Sequence, residues 1–228
     1  MREEEWKVNY LRKKKMEISN IDMHVSTNAI RSRVLDKDGW IKVLPAESWN
    51  EFSWDEVRMF MHDYPIYVLP TKELIEKLRE LIQDFKTIEI GAGSGNIGRN
   101  LGIRMTDSYL QERKDIKLYY EACGQPVIKY HKDVWKADAM TAVRILKPEC
   151  VLGCYVTHYS QSGPGNSWGV EFEKLLAKIR RLILVGNDHI HSDNPIMNIP
   201  HNTLRIPGMI TRNEDRQADA IYVWNHVV

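Results

Sequence analysis

The stretch TIEIGAGSGNIG, from Thr87 to Gly98, sets four glycines within eight residues, just after a glutamate held between two isoleucines. A turn that carries a strand into a helix leaves backbone N–H groups unpaired, and glycines admit a ligand closer than any Cβ would. The segment is a candidate cofactor cradle, and further carboxylates follow it at intervals. Asp107 lies 16 residues after Gly91 (107 minus 91), at the end of IRMTD; Asp133 stands just past PVIKY, and Asp138 sits in ADAM.

Two registers of the turn compete. Gly93, Gly95 and Gly98 satisfy the GxGxxG of nicotinamide and flavin enzymes, but started from Gly91, where the strand ends, that fingerprint needs glycine at 96 and finds Asn96. Read as ExGxGxG, with Glu89, Gly91, Gly93 and Gly95, the segment resembles the first motif of class I S-adenosylmethionine-dependent methyltransferases. The resemblance implies that the turn, with Ala92, passes beneath the methionine part and ribose of S-adenosyl-L-methionine, while Glu89 works with the methionine ammonium, usually through water. It further implies Asp107 as the acid on the ribose hydroxyls, Asp133 as acceptor of the adenine amino group, and Val134 against the ring, with Asp138 a rival to Asp133. A cationic ligand accounts for a glutamate beside the turn, where a pyrophosphate would be repelled. The plainer readings are a turn that serves packing alone and aspartates that cap the helices after them.

The elements that must position these residues are legible in outline. TKELIEKLRELIQDF places Leu74, Ile75, Leu78, Leu81, Ile82 and Phe85 on one helical stripe behind a Thr71 N-cap. Thr87–Ile90 is a short strand, and the apolar runs IRMT, PVIKY, CVLGCYV and RLILVG alternate with helix-like segments around Leu110 to Glu121, Val134 to Leu146 and Phe172 to Ile179. Such alternation predicts a parallel sheet flanked by helices. TLRIPGMIT and AIYVWNHV are joined by a loop too short for a crossover helix, so the final pair should be antiparallel. The expected fold is α/β and Rossmann-like: seven strands, mostly parallel, over residues 66–228, behind a cap at 1–65. In that cap, Ser53 and Glu56 have capping-box spacing, Phe52 and Val57 can form the hydrophobic staple, and DKDGWIKVL reads as a turn into a short strand.

Ligands of open α/β sheets bind beyond the carboxyl ends of the strands. After the fourth and fifth strands come CYVTHYSQSGPGNSWG, with Thr157, His158 and Tyr159, and LVGNDHIHSDNP, with Asn187, Asp188, His189 and His191. Methyl transfer needs alignment and a base for a poorly ionised nucleophile. His158 is the candidate base, and Asn187 and Asp188 the candidates to orient an acceptor. His189 and His191 with Asp188 and Asp193 form only a weak metal pattern without a third spaced ligand, and no metal is expected. Cys150 and Cys154 read as core thiols, and with Cys123 they make an odd number without CxxC, so all three are expected reduced. No NPPY or DPPY tetrapeptide and no Pro-Cys pair follows the fourth strand, which disfavours duplex DNA and leaves small molecules, protein side chains and RNA as acceptors.

Composition is that of an ordinary globular chain: 43% hydrophobic, 28% charged, net charge +1. No apolar run spans a bilayer and no secretory leader begins the sequence, so the expectation is a cytoplasmic protein with no membrane partner. The basic run Arg12 to Lys15 follows Glu3 to Glu5 and reads as a solvated helix face. Two rivals to the methyltransferase reading stay open: a nicotinamide-dependent oxidoreductase, and a methyltransferase-like binding module without turnover.

Overall fold

The computed structural model describes residues 25–122, 124–159 and 169–225. The expectations for Arg12 to Lys15, for Cys123 and for most of the loop after Tyr159 lie outside them. Seven strands form the sheet: β1 (Thr87–Ile90), β2 (Arg104–Asp107), β3 (Trp135–Lys136), β4 (Cys150–Cys154), β5 (Arg181–Asn187), β6 (Asn202–Leu204) and β7 (Asp219–Asn225). Their order is β3-β2-β1-β4-β5-β7-β6. β1 to β5 pair parallel, while β7 runs antiparallel between β5 and β6. This is a Rossmann-like α/β sheet with an antiparallel C-terminal pair.

Helices α1 (Asn28–Val34), α2 (Trp54–Asp63), α3 (Lys72–Ile82), α4 (Asn96–Leu101), α5 (Lys114–Ala122), α6 (Ala139–Leu146), α7 (Phe172–Leu176) and α8 (Asp188–His191) surround it. Period-two alternation divides the central strands between two apolar layers. Leu182, Leu184, Tyr222 and Trp224 join the layer that holds Phe172 and Leu175 of α7. Ile183, Val185, Ile221 and Val223 join the one that holds Leu74 and Leu78 of α3. The α3 stripe is therefore buried as its spacing requires, and the Thr71 hydroxyl accepts from the Leu74 N–H at 3.3 Å.

The N-terminal segment forms a third apolar cluster, in which Ile30, Trp49, Phe60 and Leu69 pack with Ile210 from the β6–β7 connection. Ser53 and Glu56 complete the capping box of α2. DKDGWIKVL forms no strand and contributes only two isolated bridges, Ile41 to Leu35 and Leu44 to Thr71. Residues 66–69 lie along the 210–212 connection: Leu69 N–H donates to Ile210 O at 2.9 Å and Arg212 N–H to Tyr67 O at 3.0 Å. Among the described residues no helix is long and apolar enough to cross a membrane.

Three boundaries differ from the sequence pattern. PVIKY is irregular, because Ile128 N–H is taken by the Gln111 side chain at 2.8 Å and the Tyr130 ring stacks on Tyr109 at 3.9 Å. The third strand is Trp135–Lys136 instead, paired with Thr106 and Asp107, so the following helix starts at Ala139 and not Val134. The segment from Leu110 opens as a 3-10 turn before α5 begins. In the last helical segment α7 ends at Leu176.

Gly98 lies inside α4 where the helix presses on β1 and β2. A Cβ there would stand 2.5 Å from Glu89 Oε2 and 2.6 Å from Met105 Cγ. Gly98→Ala should therefore lower unfolding free energy by about 1–3 kcal/mol, the usual cost of overpacking. Urea denaturation measures it, and an unchanged midpoint would contradict this packing.

Candidate functional site

A cavity of about 500 Å³ opens over the carboxyl ends of β1, β2, β3 and β4, where β1 and β4 are neighbours and the strand order reverses. Its size suits a nucleoside-sized ligand. The glycine turn forms the floor, and Gly91, Gly93 and Gly95 all hold positive φ. Their missing side chains serve two ends. A Cβ on Gly91 would strike Val156 at 2.7 Å and one on Gly95 would strike Met105 at 2.8 Å, so these glycines close protein contacts. Gly93, whose Cβ would find only Ile128, at 3.3 Å, is the bare backbone on the cavity side.

Two buried carboxylates grip this turn. Glu89, 1% exposed, accepts from the Gly98 N–H at 2.9 Å. Asp107 accepts from the Gly93 N–H at 2.9 Å on one oxygen and from the Tyr109 N–H at 2.9 Å on the other. The Tyr130 hydroxyl and the Ser108 N–H also favour its ionised form, and both acids line the cavity. Burial pushes Glu89 up to about 8, against the Gly98 hydrogen bond and aided by the nearby Asp107 charge. Asp107 is raised too, by burial that outweighs the N–H groups of Gly93 and Tyr109. The site thus holds two acids whose ionised forms burial disfavours and a cation would favour.

The downstream acids change places. Asp138, not Asp133, follows the third strand and lines the cavity with Ala137 and Ala139, and it also caps α6 by accepting from the Thr141 N–H at 2.9 Å. Asp133 lies outside the cavity and faces His131 at 3.2 Å. The misplacement follows from taking PVIKY for the third strand, which put the strand end at Tyr130 and not at Lys136. Val134 is buried beside Gly95 and not in the cavity wall; its carbonyl accepts from the Tyr109 hydroxyl.

None of the three catalytic candidates reaches the cavity. Asn187 is 2% exposed, caps α8 through His189 N–H, and donates to Asp219 and to Asp215 O. Asp188 pairs with Arg205 and accepts from the Tyr222 hydroxyl at 2.7 Å. His158 is buried, with Nε2 3.6 Å from Asp193. The β5 end is closed by this polar packing, so the cavity spans β1 to β4 and not β4 to β5. His189 and His191 share a helical turn: the first meets Asp215 and the second is buried against Asn187. Cys150 is buried in the core as expected, whereas Cys154 is only partly buried and lines the cavity.

Sequence reasoning missed the opposite wall. Tyr67, from the segment before α3, lies nearly parallel to Tyr155 at the β4 end, with centroids 5.9 Å apart. Tyr155 holds φ +54, and its hydroxyl donates to Asp219 at 3.0 Å and accepts from Asn213 at 2.7 Å. A left-handed tyrosine is rarely adopted without such ties. The one available signal was Tyr155 directly after the apolar run CVLGC. Asn96 links the cap to the turn, its Oδ1 accepting from Ile41 N–H at 3.1 Å.

No protein-family model and no curated protein sequence matches the chain. Among solved structures it is similar to an uncharacterized protein from Listeria monocytogenes serotype 4b, at 14% identity, covering 68% of this chain and 67% of that one, TM-score 0.36. It is similar also to a ribosomal protein L11 methylase from Lactobacillus delbrueckii subsp. bulgaricus, at 12% identity, 66% and 74% coverage, TM-score 0.32. A protein of Thermoplasma acidophilum matches at 13% identity, 80% and 96% coverage, TM-score 0.34. At this similarity the strand order, not these matches, assigns the fold.

The raised Glu89 group sets a pH dependence of stability. Its folded value of about 8 lies above the ordinary 4.5, so its contribution is full below pH 4.5 and is lost as pH rises through 8. The slope within that window reaches about 1.4 kcal/mol per pH unit, and Asp107 adds in the same direction at its lower end. Chemical denaturation from pH 5 to 9 should show the ligand-free protein weakening with pH and Glu89→Gln flattening that fall. Equal pH profiles for the two proteins would contradict the burial of this carboxyl.

Proposed function

We propose that the protein is an S-adenosylmethionine-dependent methyltransferase. The observation that carries this reading is the pair of buried carboxylates at the ends of β1 and β2, each bonded to a backbone N–H of the glycine turn and each bordering the cavity. An acid pair favours a ligand that brings positive charge and sugar hydroxyls, and opposes a dinucleotide pyrophosphate at the same turn. Glu89 would compensate the methionine ammonium, Asp107 would accept the ribose hydroxyls, and Asp138 would take the adenine amino group. The cofactor would supply an electrophilic methyl group; the chain's own task is to bind, orient and desolvate. The methyl acceptor enters from the β4 side, where Tyr67, Tyr155, Thr157 and Tyr159 border the cavity. The oxidoreductase alternative would find in Gly98 the close helix–strand packing its third glycine needs, but it would set a pyrophosphate against the two carboxylates bonded to the turn.

Calorimetric titration with S-adenosylhomocysteine tests the reading. Binding is expected in the micromolar range, and Asp107→Ala should weaken it at least roughly 30-fold, about 2 kcal/mol, from loss of charged hydrogen bonds. Because Glu89 has a value of about 8 when unliganded, a bound ammonium should expel its proton. The heat at pH 7 should then vary with the ionisation enthalpy of the buffer, and affinity should rise with pH up to about 8. No binding at about millimolar ligand ends the proposal.

A further inference from the structure

We infer that the acceptor half of the cavity takes an alkylammonium group, carried by a small amine or a lysine side chain, and not an anionic acceptor. The inference rests on the reading above only in calling this ligand the methyl acceptor. Four acids line the cavity, Glu89, Asp107, Asp138 and Glu171, and among its described lining residues there is no lysine, arginine or histidine. Three of the acids surround the glycine turn and the α6 cap. Glu171 lies apart from them, on the β4 side with Tyr67, Tyr155 and Tyr159.

Among the charged and aromatic groups on that side are Glu171 and three tyrosines, with Thr157 and apolar residues between them. A phosphate or carboxylate entering it would lose water and meet the Glu171 charge and π-electron density, with hydroxyls such as that of Thr157 but no cationic side chain among the described lining residues, whereas an ammonium would meet the charge and the rings favourably. Two cations stand nearby, and each is committed outside the cavity. Arg212 covers the Tyr67 ring at 4.5 Å and donates to Gln125 at 3.1 Å. Lys174, which does not line the cavity, sits 2.6 Å from Glu171 at the rim, with two thirds of its side chain exposed. An entering ammonium would exchange with that exposed surface amine. The Tyr155 hydroxyl is fixed by Asp219 and Asn213, and its acidity is suppressed further by burial and by the Asp219 charge. That ring is therefore a neutral wall and not a base. On transfer, the ammonium gives its proton to solvent, its lone pair forms the C–N bond as the C–S bond of the sulfonium breaks, and S-adenosylhomocysteine leaves.

The test titrates the full chain with tyramine, with a lysine-bearing tripeptide and with hydroxyphenylacetate, a matched anion. Each titration is run with and without S-adenosylhomocysteine. At least one amine should bind about tenfold or more tighter than the carboxylate, and the tighter of the two names the source. Glu171→Gln should remove that preference and Glu171→Lys should invert it, with S-adenosylhomocysteine affinity held within about twofold as the check on folding. Equal or tighter binding of the anion, no binding of either amine, or a preference indifferent to both Glu171 variants overturns the inference. Failure of S-adenosylhomocysteine alone would remove the methyltransferase reading, while the arms without it still report the charge preference of the cavity.

Discussion

Two carboxylates hold the glycine turn by its backbone, Glu89 through the N–H of Gly98 and Asp107 through that of Gly93. Everything else in the site depends on this clamp. It fixes the start of α4 against β1 and β2, keeps Gly93 bare toward the cavity, and holds two largely buried acids at the cavity wall. Burying an acid without a cation is unfavourable, and here the raised value of Glu89 is the sign of that cost. On the proposed reading, the ligand's ammonium would offset that cost. The clamp is thus poor for ligand-free stability and well matched to a ligand with an ammonium and two hydroxyls.

The sheet explains why the clamp sits where it does. β1 and β4 are neighbours although β2 and β3 intervene in the chain, so the crossover leaves a crevice above their carboxyl ends. The N-terminal segment closes one side: residues 66–69 add to the 210–212 connection, and Tyr67 is set against Tyr155. On the far side, Asn187, Asp188 and Asp219 bond one another's surroundings and fill the end of β5. The cavity is therefore asymmetric, with three acids and the glycine turn toward β1, β2 and β3, and the Tyr67–Tyr155 pair with Glu171 toward β4.

Much of this was legible from residue types. The α3 stripe, the glycine turn, Glu89, Asp107 and the antiparallel end of the sheet follow from periodicity and turn chemistry, because local sequence specifies each of them. The third strand was not legible. PVIKY has strong strand character, but the Gln111 side chain and the Tyr109 ring, both distant in sequence, claim its N–H and its tyrosine. With that strand misplaced, Asp133 was preferred to its rival Asp138, the acid that follows the observed third strand. The catalytic candidates failed for a related reason. Polar residues after a strand are equally suited to capping and to chemistry, and only the closure of the β5 end by Asn187, Asp188 and Asp219 decides between them. Tyr67 escaped notice because its role arises from a tertiary contact between the cap and β4.

The most direct measurement is a carbon NMR titration of the Glu89 carboxyl, with and without S-adenosylhomocysteine. The account predicts an apparent value near 8 in the free protein that falls by at least about one unit when the ligand's ammonium binds. A carboxyl that titrates in the ordinary range around 4.5 in the free protein, or whose value is unmoved by saturating ligand, would contradict it.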